Sequence, residues 1–131
     1  MINEIMKDGF VYIMSNKHRT TIYIGVTSDI EKRILMHKSG FGSVFTNKYI
    51  LTDLLYFERI SGIHNAIDRE KQLKNWHKNW KWNLIKEENP ELKDLAAEWF
   101  TPEQIEEYKR MRKNNGMSDD LVGGDPETSS G

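Results

Sequence analysis

Phe10-Val-Tyr-Ile-Met14 and Ile22-Tyr-Ile-Gly-Val26 flank the polar stretch Ser15-Asn-Lys-His-Arg-Thr-Thr21, and Ser28-Asp-Ile-Glu-Lys-Arg33-Ile-Leu-Met-His37 follows at once. The first run is apolar throughout and rich in β-formers, which suits a strand buried on both faces. The polar stretch is turn-like, so the second run reads as the other arm of a hairpin. Ser28 suits an N-cap, and Glu31 three residues later would complete a capping box. The helix this starts should stop at Ser39-Gly40, with the glycine at C′.

On that helix Ile30, Arg33, Ile34 and His37 fall at i, i+3, i+4 and i+7, one stripe. An arginine turned toward a sheet needs an anionic partner or a route to water. After Gly40, Phe41-Gly-Ser-Val-Phe-Thr-Asn-Lys48 reads as a polar loop, and Tyr49 to Ile60 as a third strand with the apolar centre Leu54-Leu-Tyr-Phe57. Ser61-Gly62 breaks it. A helix over residues 63–74 puts Ile63, Ala66, Ile67, Glu70 and Leu73 on one stripe. Glu70 is thus a carboxylate on an apolar face, where carboxylates sit only when paired or bound to a cation. Two readings stay open: a buried Glu70 to Arg33 bridge, or a ligand for a hard divalent cation with Arg33 on a phosphate across the cleft. Arg69, Lys71 and Lys74 should face solvent.

Asn75 to Ile85 continues as helix, with Trp76, Trp80, Asn83 and Leu84 on one face and Lys74, Lys78 and Lys81 on another. Interleaved aromatic and basic residues can stack on bases, but such tryptophans are more often core. Pro90 ends that helix. Thr101-Pro-Glu-Gln104 is a capping box with proline at N1, opening a charged helix to Lys113. This reading divides the chain into a lead-in (1–8), one domain (9–100), the charged helix (101–113) and a disordered acidic tail (114–131).

The near-zero net charge, −1 over 131 residues, hides an asymmetry. From Lys7 to Lys86 there are 14 Lys and Arg against 7 Asp and Glu, whereas acidic residues dominate beyond. A basic domain is expected of a polyanion binder, since neutralising phosphates releases counterions. With no cysteine, disulfides and cysteine-type zinc sites are excluded, which fits a reducing cytoplasm. No apolar run is long enough to span a membrane.

The tyrosines carry a resemblance. Tyr23-Ile-Gly25 follows Tyr12 of Phe10-Val-Tyr12 by eleven residues, and Arg33 follows Gly25 by eight. This resembles the GIY-YIG nuclease family in its small stand-alone form, from Phe10 to Leu95. The leading glycine of the family motif is Phe10 here, and Val26 stands where some members carry lysine. The resemblance implies an α+β fold, a three-stranded antiparallel sheet flanked by helices, and metal-dependent hydrolysis of DNA phosphodiesters, an endonuclease of the EC 3.1 class suited to structured or damaged DNA and to repair.

It also implies roles. Glu70 would be the metal ligand for one Mg²⁺ or Mn²⁺, and Arg33 would neutralise the phosphate with its planar fork. Tyr12 or Tyr23 would orient or deprotonate the attacking water. His37 is a second base candidate or a phosphate donor, at a position where other members have tyrosine. Gly25, Lys71 and Lys74 are the substrate-binding candidates, and Asn79 and Asn83 the candidates for the late asparagine of the family. Products would be 5′-phosphate and 3′-hydroxyl ends. Branched, nicked and single-stranded DNA stay open as partners, as does RNA; oligomeric state is open too. The competing reading is a nucleic-acid-binding module with weak or lost activity.

Overall fold

The computed structural model describes residues 7–115. Their order is β1 (Gly9–Ser15), β2 (Ile22–Thr27), α1 (Ile30–Lys38), α2 (Val44–Tyr49), β3 (Asp53–Ile60), α3 (Ile63–Lys74), α4 (Lys78–Glu88) and α5 (Pro102–Asn114). The strands form one antiparallel sheet in the order β2-β1-β3. The fold is therefore α+β with a three-stranded antiparallel sheet, as the sequence implied. The proposed lead-in and acidic tail fall mostly outside the described residues.

β1 is central because it is apolar on both faces. Val11 and Ile13 point to one side, where they join Ile22, Ile24, Leu55, Tyr56, Ala66, Leu73 and Ile85. Tyr12 and Met14 point to the other, with Tyr23, Ile34, Leu51, Leu54 and Ala96. A bulge opposite Ile13 and Met14 lets Leu55 and Tyr56 face the same layer, while Leu54 faces the second. Thus α3 and α4 cover one face, and α1 with the segment around Ala96 covers the other.

The hairpin loop is tied down by polar groups. Asn16 Oδ1 accepts from the N–H groups of Thr20 (2.9 Å) and Thr21 (3.0 Å). Arg19 takes a left-handed φ of 58° and donates to Leu92 O (3.0 Å) and Asp53 Oδ2 (2.9 Å). Burial alone would raise the Asp53 carboxyl, but Lys17 and Arg19 outweigh it and hold it below the usual carboxylate range. The outer edge of β3 is covered as well. Leu54 N–H donates to Asp94 Oδ1 (2.9 Å), Leu95 N–H to Leu54 O (2.7 Å), and Asn89 Nδ2 to Leu55 O (3.1 Å). Residues 89–95 thereby complete the sheet edge without adding a strand.

Four local expectations are corrected. The α1 N-cap is Asp29, which accepts from Lys32 N–H (3.1 Å), one residue past Ser28. The stretch read as a loop contains α2, capped by Ser43, which accepts from Thr46 N–H (3.1 Å). β3 consequently begins at Asp53, not Tyr49. The helix expected through 75–85 breaks after Lys74, and α4 restarts at Lys78. Among the described residues, no helix is long and apolar enough to cross a membrane.

Candidate active site

Tyr12 leaves the middle of β1 toward α1 and sits opposite Gly25 of β2. A Cβ at Gly25 would stand 2.5 Å from the phenol oxygen of Tyr12, so the glycine makes room for this ring. Tyr23, two positions before Gly25 on β2, comes off the same face. Its ring centroid lies 6.3 Å from that of Tyr12. His37, in the last turn of α1, closes the group at 5.4 Å from Tyr12 and 5.7 Å from Tyr23. The sheet and α1 thus bring together three of the expected site residues.

The histidine is held at both ring nitrogens. Nε2 lies 2.9 Å from the Tyr12 hydroxyl and Nδ1 lies 3.2 Å from Thr46 Oγ1. Thr46 is fixed in turn by Ser43, its Oγ1 donating to the Ser43 carbonyl (3.3 Å) and lying 2.9 Å from the Ser43 hydroxyl. Gly42 makes room for the imidazole: a Cβ there would overlap Nδ1 and Cε1. Ser43, Thr46 and Gly42 were not singled out in the sequence, because their link to His37 exists only once α2 folds against α1. Gly42→Ala should push the ring off both partners and cost about 1–3 kcal/mol, read as a lower urea midpoint.

His37 is 2% exposed. Burial, and then the Arg33 charge, push its pKa down to about 3. It is therefore neutral at physiological pH, an acceptor or a single donor at each nitrogen. Between pH 6.5 and 3 the unfolded chain takes up a proton here that the folded chain refuses. Stability is then full above pH 6.5 and falls toward pH 3 by up to about 1.4 kcal/mol per pH unit. Urea midpoints at pH 7.5 and 5 should drop further for the native chain than for His37→Gln. Equal drops would assign the acid sensitivity to another group.

Arg33 is half-buried on α1 and forms no ion pair among the described residues. The Glu70 to Arg33 bridge, one of the two readings the sequence left open, is not made. Glu70, 8% exposed on the inner side of α3, pairs through Oε2 with Lys74 at 2.7 Å. Lys74 is one turn on, so helix periodicity satisfies this carboxylate within α3. That corrects the solvent-facing reading of Lys74, whereas Lys71 is exposed. α3 packs against β1 and β2 on the face opposite Tyr12. Glu70 and the tyrosine–histidine group therefore approach the edge strand β2 from opposite sides.

Nearby, Lys81 is buried on α4 one turn before Ile85, not on an exposed basic face. Burial and the Lys74 charge lower its pKa. Trp76 and Trp82 pack on the core, while Trp80, Asn79 and Asn83 are exposed. Among the described residues, no group of three or more His, Cys, Asp or Glu could cage a metal. A lone carboxylate suits an ion that keeps most of its own water, which is the habit of Mg²⁺.

A family model described as the GIY-YIG catalytic domain matches residues 8–83. A UPF0213 protein of Syntrophus aciditrophicus is 34% identical over 87 residues, spanning 66% of this chain and 98% of its own length. One from Clostridium perfringens is 37% identical over 87 residues, covering 63% and 92%. One from Staphylococcus saprophyticus is 33% identical over 82 residues, covering 63% and 99%. No solved structure matches the chain.

Proposed function

The chain belongs to the GIY-YIG family, and from that premise we propose that it is a metal-dependent endonuclease hydrolysing DNA phosphodiesters. The observation that carries this reading is the hydrogen-bonded line Tyr12–His37–Thr46 beside Tyr23.

In this reading Thr46 Oγ–H donates to the Ser43 carbonyl, its oxygen accepts from His37 Nδ1–H, and Nε2 accepts the Tyr12 O–H. Tyr12 held in this way would orient an incoming water for attack. A neutral His37 with a strongly lowered pKa acts here as the acceptor that aims Tyr12. Arg33, which makes no ion pair among the described residues, would take a phosphate oxygen and offset charge building on the phosphorus centre. Glu70 would hold the divalent ion. When bound, Mg²⁺ or Mn²⁺ supplies further positive charge to the phosphate and the leaving oxygen. Gly25 and Lys71 would be substrate contacts.

The test is a panel of labelled DNA and RNA oligonucleotides, single-stranded, duplex, nicked and branched, with product ends identified. Cleavage of DNA leaving 5′-phosphate and 3′-hydroxyl ends is expected. Ends of the opposite polarity would overturn the assignment of the 3′-oxygen as the leaving group. One observation favours a second reading, a binding module without effective catalysis: Lys74 already neutralises the carboxylate meant for the metal. Salt-sensitive binding of every substrate with cleavage of none would support it.

A further inference from the structure

α2 has two unlike sides. Inward, Thr46 holds His37, and Phe45 stacks on Tyr23 with centroids 6.3 Å apart and planes 25° apart. Outward, three apolar residues meet water: Val44 is 84% exposed, Tyr49 44% and Ile50 65%. Phe45 and Tyr49 lie 4.7 Å apart. The aromatic rings thus run without a break from buried Tyr12 through Tyr23 and Phe45 to the surface at Tyr49.

Ile50 adds strain to exposure. It caps α2 with φ 55°, the left-handed region that β-branched residues avoid. Glycine or asparagine would relieve that strain, and any polar residue would suit the exposure better. Strain and an exposed apolar side chain at one residue mark a position kept for contact. Lys48 Nζ lies 5.4 Å from the centre of the Tyr49 ring, so the platform carries a positive charge. Beneath Ile50 a cavity of about 330 Å³ leads back to His37 and Thr46, with Lys38 and Lys109 on its wall.

We infer that Tyr49 and Ile50 form a stacking platform for an unpaired nucleobase next to the phosphate to be cut, with Lys48 on a flanking phosphate. This rests on the nuclease reading and deepens it by naming a feature of the substrate. An aromatic face accepts any base, which suits contact without sequence preference. A base inside a duplex has both faces covered by its neighbours, so only an unpaired or end base can use the platform. The exposed apolar patch is limited to three side chains on one short helix. A nucleotide is the right size, and Lys48 has the right sign.

The test uses the whole chain in chelator, so that nothing is cut. Single-stranded oligonucleotides carrying 2-aminopurine at successive positions are titrated with native protein, Tyr49→Phe and Tyr49→Ala. A fully paired duplex of the same sequence is the control. Native protein and Tyr49→Phe should quench 2-aminopurine wherever it stands in the single strand and bind alike. Tyr49→Ala should lose the quench and bind single strands about tenfold more weakly, with duplex affinity unchanged. Equal weakening on both substrates, or no change on either, would overturn the platform. So would Tyr49-dependent self-association in sedimentation without nucleic acid, which would make a second copy the occupant. Because binding is read without cleavage, cutting without Tyr49-dependent quenching refutes the platform alone, and quenching without cutting refutes the nuclease alone.

Discussion

Glu70→Gln is expected to abolish divalent-dependent cleavage, with a rate loss on the order of 10³-fold from the missing charge stabilisation. Glutamine keeps the volume of the side chain and an oxygen for Lys74, so the packing of α3 on β1 and β2 should survive. Alanine would also remove a mostly buried partner from Lys74 and mix folding with catalysis. The check is single-turnover cleavage at several Mg²⁺ concentrations, beside circular dichroism and thermal unfolding. A rate within a few-fold of native in a folded variant would remove Glu70 from the site. The pair with Lys74 adds a second expectation: Lys74→Gln should lower the Mg²⁺ concentration needed, since the ion no longer competes with an ammonium for the carboxylate.

Tyr12→Phe is the second large effect, a loss of about 10²–10⁴-fold in rate. Phenylalanine keeps the ring over Gly25 and against His37 but removes the oxygen 2.9 Å from Nε2. Stability should fall by only about 1–2 kcal/mol, because one buried acceptor loses its partner. Tyr23→Phe is the comparison. In the proposed arrangement Tyr12 is the tyrosine held by His37, so its loss should be the larger. The reverse order would hand water orientation to Tyr23. Tyr56 shows why position matters more than residue type. Burial, then the Glu58 charge, push its phenol up to about 12, and it faces the other layer.

How far the sequence could be read depends on the range of each contact. β1, β2 and α1 were legible because their apolar pattern is local and strong: β1 is buried on both faces, and α1 shows one stripe. Tyr12, Tyr23 and His37 were legible as a group because their order and spacing resemble the family motif, and hairpin and helix then put them on one side of the sheet. α2 was not. It has six residues, too few for periodicity to show, and Ser43 caps it without the glutamate that makes a capping box obvious. With α2 hidden, the hold of Thr46 and Gly42 on His37 was hidden too. Lys74 as the partner of Glu70 was hidden for a related reason. An apolar stripe says that a carboxylate needs a cation, but it does not choose between a distant Arg33 and a Lys74 one turn away on the same helix. Lys81 was grouped with Lys74 and Lys78 as a basic face, but it lies one turn before Ile85 and is buried with it.

The measurement that tests the central claim most directly is conversion of supercoiled plasmid to open circle by purified chain. It is run with Mg²⁺, with Mn²⁺ and with chelator, beside Glu70→Gln. The account predicts nicking with either metal, none in chelator and none by the variant. Nicking that persists in chelator or in the variant would contradict it, as would intact plasmid in every lane together with no cut in the oligonucleotide panel.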